Sequence, residues 1–129
     1  MNPVAYTALR IFTGSEWLHH HALIVNGGVI EAVVPSTEIK ETDYEVKTFR
    51  DGFLAPAFID IQIYGAAEKL LAVHPTTEAL QALVDYCAAG GATLCVPTVA
   101  TNSVEVFKQC IDAVRAYWQA GGKGVYGLH

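Results

Sequence analysis

Two helical stripes set between three short apolar runs constrain this chain more than any other feature. Leu80, Leu83, Val84 and Cys87 recur at i, i+3, i+4 and i+7, and Phe107, Cys110, Ile111 and Val114 repeat the spacing. Such a stripe buries one side of an α-helix. Thr76 can cap the first helix, Glu78 suits the positive end of its dipole, and Gly90 can end it. Asn102, with Glu105 three residues on, fits a capping box for the second, which Gly121-Gly122 ends. The spacing therefore predicts helices over Thr77–Ala89 and Ser103–Gln119. Strands are predicted at Phe58–Tyr64, Thr93–Val96 and Val125–His129. Strands alternating with helices imply parallel pairing through right-handed crossovers.

The first part of the chain follows a different pattern. Val4–Phe12, His21–Val25, Val29–Val34 and Tyr44–Phe49 read as short strands. Asn26-Gly27-Gly28 between two apolar runs is a strong hairpin signal, because these residues accept positive φ. Pro35–Asp43 is polar and reads as a loop, and Asp51-Gly52 is expected to end the last strand. No low-complexity linker separates the two parts. The expected division is a β-sandwich segment over 1–55 and an α/β segment over 56–129.

Composition narrows the function classes. With 129 residues, 52% of them apolar, a core of domain size can form. No apolar run reaches the ~18 residues of a membrane span, and MNPVAYTALRIF has no signal-peptide pattern. A cytoplasmic protein with no membrane partner is expected. The net charge of −5, with Lys and Arg scattered, offers no basic face to a nucleic acid. Cys87, Cys95 and Cys110 are odd in number and form no CxxC, so buried free thiols are expected. Ser-His-Asp spacing, a P-loop and GxGxxG are all missing from the sequence.

The run FLAPAFIDIQIYG carries the main chemical signal. Side chains alternate along a strand, which would put Asp60, Gln62 and Tyr64 on one face and Ile59, Ile61 and Ile63 on the other. A parallel strand covered on both faces is ordinarily apolar throughout, and an unpaired buried polar group costs a few kcal/mol. These polar groups therefore need partners. Either they satisfy the backbone and a solvated edge, or they line the site end of a barrel.

The order of motifs then becomes familiar. Pro56-Ala57-Phe58-Ile59-Asp60-Ile61-Gln62-Ile63-Tyr64-Gly65 is similar to the pattern P-G-F-I-D-x-Q-x-[NH]-G. Gly91 to Thr98 matches G-x-T-x-x-x-P-T, and Gly127-Leu128-His129 matches the start of G-L-H-L-E-G-P. In this order the segments resemble the N-acetylglucosamine-6-phosphate deacetylase family of the amidohydrolase superfamily, over essentially the whole chain. The resemblance implies a small β-sandwich followed by a (β/α)₈ TIM barrel. At roughly 30 residues per βα unit, the residues after Pro56 supply two such units and a third strand. It also implies a divalent metal ion, zinc first, and hydrolysis of the N-acetyl amide of a phosphorylated amino sugar.

Carried over residue by residue, the resemblance makes Gln62 the metal-facing position, where most amidohydrolases place the first His of a His-x-His. Tyr64 replaces the family's Asn or His and is expected to contact sugar or water, or to pack. Ala57 in place of Gly alters only the turn. His74, in the loop after the first barrel strand, is a substrate contact or a surface residue. Thr98, at the end of the second strand, bonds a site water or caps a turn. His129 ends the third strand, where the resemblance puts it close to the metal of the complete family site, and it is counted as a substrate contact rather than a ligand. The Glu, the two His and the acid/base Asp of the family site have no counterpart here, so no catalytic residue is assigned. This chain alone is expected not to turn over. The competing expectation is a non-catalytic assembly module that self-associates or pairs with the rest of a barrel. His19-His20-His21 is expected at a loop or strand entry.

Overall fold

The computed structural model describes residues 3–129. The chain divides between Pro56 and Ala57 into two compact units. Its fold is mixed α/β, with a sheet unit followed by a unit of strands and helices.

The first unit is one five-stranded sheet. β1 (Val4–Phe12) pairs in parallel with β5 (Glu45–Leu54) along nearly its whole length. β2 (Trp17–His19) and β3 (His21–Asn26) therefore share the other edge of β1, both antiparallel to it. Between them His20 adopts φ +58 and turns the corner. His21 Nδ1 donates to the His19 carbonyl at 2.7 Å, which fixes the ring as the Nδ1–H form. The His triplet is thus a strand corner, as expected. β4 (Val29–Pro35) closes the outer edge through the hairpin at Gly27-Gly28. Both glycines take positive φ, while Asn26 ends the strand, so the glycines alone supply the conformation assigned to Asn-Gly. Pro35–Asp43 holds a 3₁₀ turn at Ser36–Glu38. β5 runs straight through Asp51-Gly52, the expected stop, because the ladder shifts register between Ala8 and Arg10 and absorbs the irregularity. The core here is small: Ala5, Ala22 and Ile24 are buried, with Ala32, Val34, Ile39 and Tyr44 packed on them.

The second unit contains β6 (Phe58–Ile63), a short hairpin of β7 (Gly65–Ala66) and β8 (Lys69–Leu70), α1 (Thr77–Ala89), β9 (Ala92–Pro97) and α2 (Val104–Gln119). β6 and β9 are parallel, as the alternation predicts. Thr76 Oγ1 accepts from Ala79 N at 3.2 Å and starts α1. Ser103, not Asn102, caps α2: its Oγ accepts from Val106 N, and Asn102 Oδ1 accepts from Ser103 N.

Leu80, Leu83 and Cys87 bury the expected face of α1. The face of α2 is rotated from the predicted stripe. Cys110, Ala113, Val114 and Tyr117 are buried while Ile111 is exposed, because Tyr117 adds a large apolar body to the opposite flank. The Tyr117 phenol lies 2.8 Å from the Lys123 carbonyl and 3.0 Å from Gln81 Oε1, which settles its polar end. All three thiols are free and buried in this core.

The third strand is reduced to a single parallel bridge between Cys95 and Val125. Backbone bonds still run along it: Cys95 N to Gly124 O, Tyr126 N to Cys95 O, and His129 N to Pro97 O. Pro97 has no N–H to continue the ladder. Among the described residues no helix is long and apolar enough to cross a membrane.

Candidate functional site

The C-terminal ends of the three parallel runs meet along one rim. Ile63 pairs with Pro97, Thr98 N donates to Ile63 O at 2.7 Å, and Val99 N donates to His129 O at 2.9 Å. Tyr64, Thr98 and His129 thus stand at the ends of neighbouring strands. His74 is fastened to the loop that follows β6, its N–H donating to Leu70 O at 2.8 Å.

The polar face of β6 differs from the alternation drawn from sequence. Asp60 pairs with Cys95 and Ile63 with Pro97, three residues on one strand against two on the other. Paired residues of a parallel ladder share a face, and Cys95 and Pro97 share theirs. Asp60 and Ile63 therefore lie together on the side that faces the buried core, and the strand carries a bulge at Ile61-Gln62. Asp60 Oδ1 accepts from the Gln62 backbone N–H at 3.1 Å and holds the bulge. Asp60 is thus separated from Gln62 and Tyr64, and Ile63 from Ile59 and Ile61. Strict alternation hid this, and the Asp two residues before the polar pair is the signal for such a side-chain-to-backbone turn.

Gln62 and Tyr64 do share a face: Gln62 Nε2 donates to Tyr64 Oη at 2.8 Å. Tyr64 is 43% exposed, so the pair is open to solvent. The Thr98 side chain is buried, and its hydroxyl donates to the Val96 carbonyl at 3.2 Å. That bond satisfies the residue locally.

The hairpin after β6 was not foreseen. Gly65 and Ala66 pair with Leu70 and Lys69, and the two-residue turn is Ala67-Glu68, at φ +48 and +61. Leu71 anchors it, fully buried, with its N–H donating to Tyr64 O at 3.0 Å.

Burial pushes the Cys95 thiol up to about 12, aided by the neighbouring Cys87, and raises Cys87 and Cys110 as well. A thiol held neutral is a poor nucleophile and a poor metal ligand. Among the described residues, no group of three His, Cys, Asp or Glu side chains is placed to hold a metal ion. Gln62 Oε1 is one neutral oxygen, too little for a divalent ion without charged partners. The donors present do not fit an ion site by themselves.

Comparison with known proteins agrees with the motif order. Residues 4–44 match the family model of the NagA composite domain. The chain is 29% identical to an N-acetylglucosamine-6-phosphate deacetylase of Haemophilus influenzae, over 92% of this chain and 31% of that protein. It is equally, 29%, identical to an N-acetylgalactosamine-6-phosphate deacetylase of Shewanella sp., over 93% and 31%. The crystal structure of N-acetylglucosamine-6-phosphate deacetylase from Pasteurella multocida superposes with a TM-score of 0.89 at 25% identity, covering 98% of this chain and 33% of that one. The chain spans about a third of the length of the curated relatives it matches. Along nearly its full length the chain is similar to about a third of these N-acetylhexosamine 6-phosphate deacetylases.

Proposed function

We propose that this chain forms the opening part of the active site of an N-acetylhexosamine 6-phosphate deacetylase, with 1–55 as the sandwich segment and 56–129 as the first part of a TIM barrel. The observation that carries this is the strand-end rim. Gln62 and Tyr64 are bonded on one face of a bulged parallel strand, with Thr98 and His129 at the ends of the next two runs. A barrel places its chemistry at that end. Two relatives equally similar to the chain differ in the sugar they are named for, glucosamine or galactosamine. The substrate class is therefore the N-acetylated hexosamine 6-phosphate, with the C4 configuration left open to either.

In this reading Gln62 is the one side chain facing the divalent metal of the complete site, zinc first. Tyr64, His74, Thr98 and His129 face the sugar. Amide hydrolysis needs a polarised carbonyl, an activated water and a proton acceptor held together. The residues here orient and bind but supply neither charged metal ligands nor an acid/base carboxylate on the Gln62 face. The purified chain, given N-acetylglucosamine 6-phosphate and zinc, is expected to release no acetate. Release in proportion to protein overturns that part of the proposal. Sugar-phosphate-dependent shifts of the Thr98 and His129 amides support the rim, and shifts confined to the first unit remove it.

A second reading, an assembly module, draws on the free edge of β6. Phe58, Ile59 and Ile61 are 73%, 58% and 71% exposed and line an open groove of about 660 Å³ with Tyr86 and Cys87. Such an edge invites a further strand. Light scattering at micromolar concentration tests it: a dimer or larger species supports self-pairing, and a monomer rejects it.

A further inference from the structure

The Gln62 carboxamide has two N–H donors and one carbonyl oxygen, and a phenol has one donor and lone pairs. One amide donor is spent on Tyr64 Oη, at 2.8 Å. The phenol oxygen is the acceptor in that bond, so its own O–H remains to be given. Accepting one hydrogen bond makes a hydroxyl a better donor of the next. The amide, held by Nε2, keeps Oε1 as an acceptor. The bulge fixes both side chains in this relation, because Asp60 Oδ1 ties down the Gln62 backbone N–H at 3.1 Å. On the other side, Tyr64 is tied by its carbonyl to buried Leu71.

We propose that Tyr64 is a positioning residue that locks the Gln62 amide, so that Gln62 Oε1 and the Tyr64 O–H together hold a single hydroxyl. A hydroxyl donates to Oε1 and accepts from the phenol, using one donor and one acceptor without any charge. A carboxylate or phosphate can take the phenol donor and the second Nε2 proton but is repelled by Oε1, and an ammonium finds no counter-charge. The occupant is a sugar hydroxyl or a water, and as part of the substrate site the inference rests on the deacetylase reading. The opposite amide orientation, with Tyr64 donating to Oε1, would leave two donors exposed and reverse the polarity of the pair.

The experiment uses the ¹⁵N-labelled chain. The Gln62 side-chain amide is assigned by its loss in Gln62→Ala, and backbone amide maps establish that Gln62→Ala and Tyr64→Phe remain folded. In the wild type the bonded Nε2 proton is expected to exchange with water about fivefold more slowly than in Tyr64→Phe, as the loss of one hydrogen bond implies. Equal exchange in the two proteins overturns the lock, as does a wild-type amide with both protons unprotected. N-acetylglucosamine 6-phosphate is then titrated. A shift of the Gln62 amide that weakens about fivefold in Tyr64→Phe assigns the hydroxyl to the sugar. Protection without any sugar-dependent shift assigns it to water. A failure of the deacetylase reading shows separately, as the lack of any sugar-phosphate response at Thr98 and His129 while the Gln62 protection persists.

Discussion

Two hairpins of this molecule close through turns of the same two-residue length, and the turns are built from opposite residues. In the sheet unit Asn26 pairs with Val29 around Gly27-Gly28, at φ +58 and +83. In the α/β unit Ala66 pairs with Lys69 around Ala67-Glu68, at φ +48 and +61. A two-residue hairpin turn of the I′ form needs positive φ at both central residues to match the strand twist. Glycine meets this freely, whereas a side chain costs about 1–2 kcal/mol per residue there. The first turn is relaxed. The second holds strain, and it sits in the loop that leads out of the candidate site rim, where such strain tends to be kept. Fully buried Leu71 secures it.

The largest test of this comparison is Gly65→Ala, at the base of the second hairpin. A Cβ there would overlap the Lys69 carbonyl oxygen and stand 2.8 Å from the Leu70 Cα, both backbone atoms. The hairpin must open, at a cost of about 3 kcal/mol in urea-unfolding stability. A loss below about 1 kcal/mol would mean that the hairpin contributes little. Next in size is Gly28→Ala in the first hairpin. Its Cβ meets no atom within 4 Å, so only the positive φ opposes it. The loss expected is about 1–2 kcal/mol, and an unchanged midpoint would deny that the conformation matters.

The reverse change sharpens the contrast. Ala67→Gly with Glu68→Gly should stabilise the chain by about 0.5 kcal/mol per residue, the relief of strain being partly offset by the greater freedom of glycine when unfolded. Destabilisation would show that the second turn is not strained.

The smallest effect separates the units by pH. All three cysteines lie in the second unit, and burial raises each above its ordinary value, Cys95 to about 12. A raised thiol keeps its full contribution to stability below the unfolded value of about 8.5. That contribution is lost progressively as pH rises from there through the folded value. As pH rises above about 8.5 the second unit should therefore begin to weaken, while the first, which holds no cysteine, loses no such contribution. Trp118 reports on the second, its Nε1 donating to the Val125 carbonyl, and Trp17 on the first. Trp17→Phe and Trp118→Phe isolate each signal. Weakening seen equally at both would contradict the assignment.

The same pair of turns shows what the sequence made legible. Asn-Gly-Gly announces a hairpin by composition. Ala-Glu announces nothing, so β7 and β8 went unforeseen. The ends of α1 were readable because Thr76 and Gly90 are local signals, and the parallel pairing of β6 with β9 followed from the order of elements. The face of α2 was misplaced because Tyr117 counts as apolar only once its hydroxyl has found Lys123 and Gln81. At the candidate site, the identity of the polar residues on β6 was legible, and their sidedness was not. A bulge inserts one residue without leaving a mark in hydrophobic periodicity, and so Asp60 turned to the core while Gln62 and Tyr64 stayed together.

The most direct measurement of the central claim is a chimera in which residues 1–129 of this chain replace the matching third of the Haemophilus influenzae deacetylase. The account predicts a folded enzyme that releases acetate from N-acetylglucosamine 6-phosphate, with turnover that falls when Gln62→Ala is added. A folded chimera with no turnover, or one indifferent to Gln62→Ala, would contradict it.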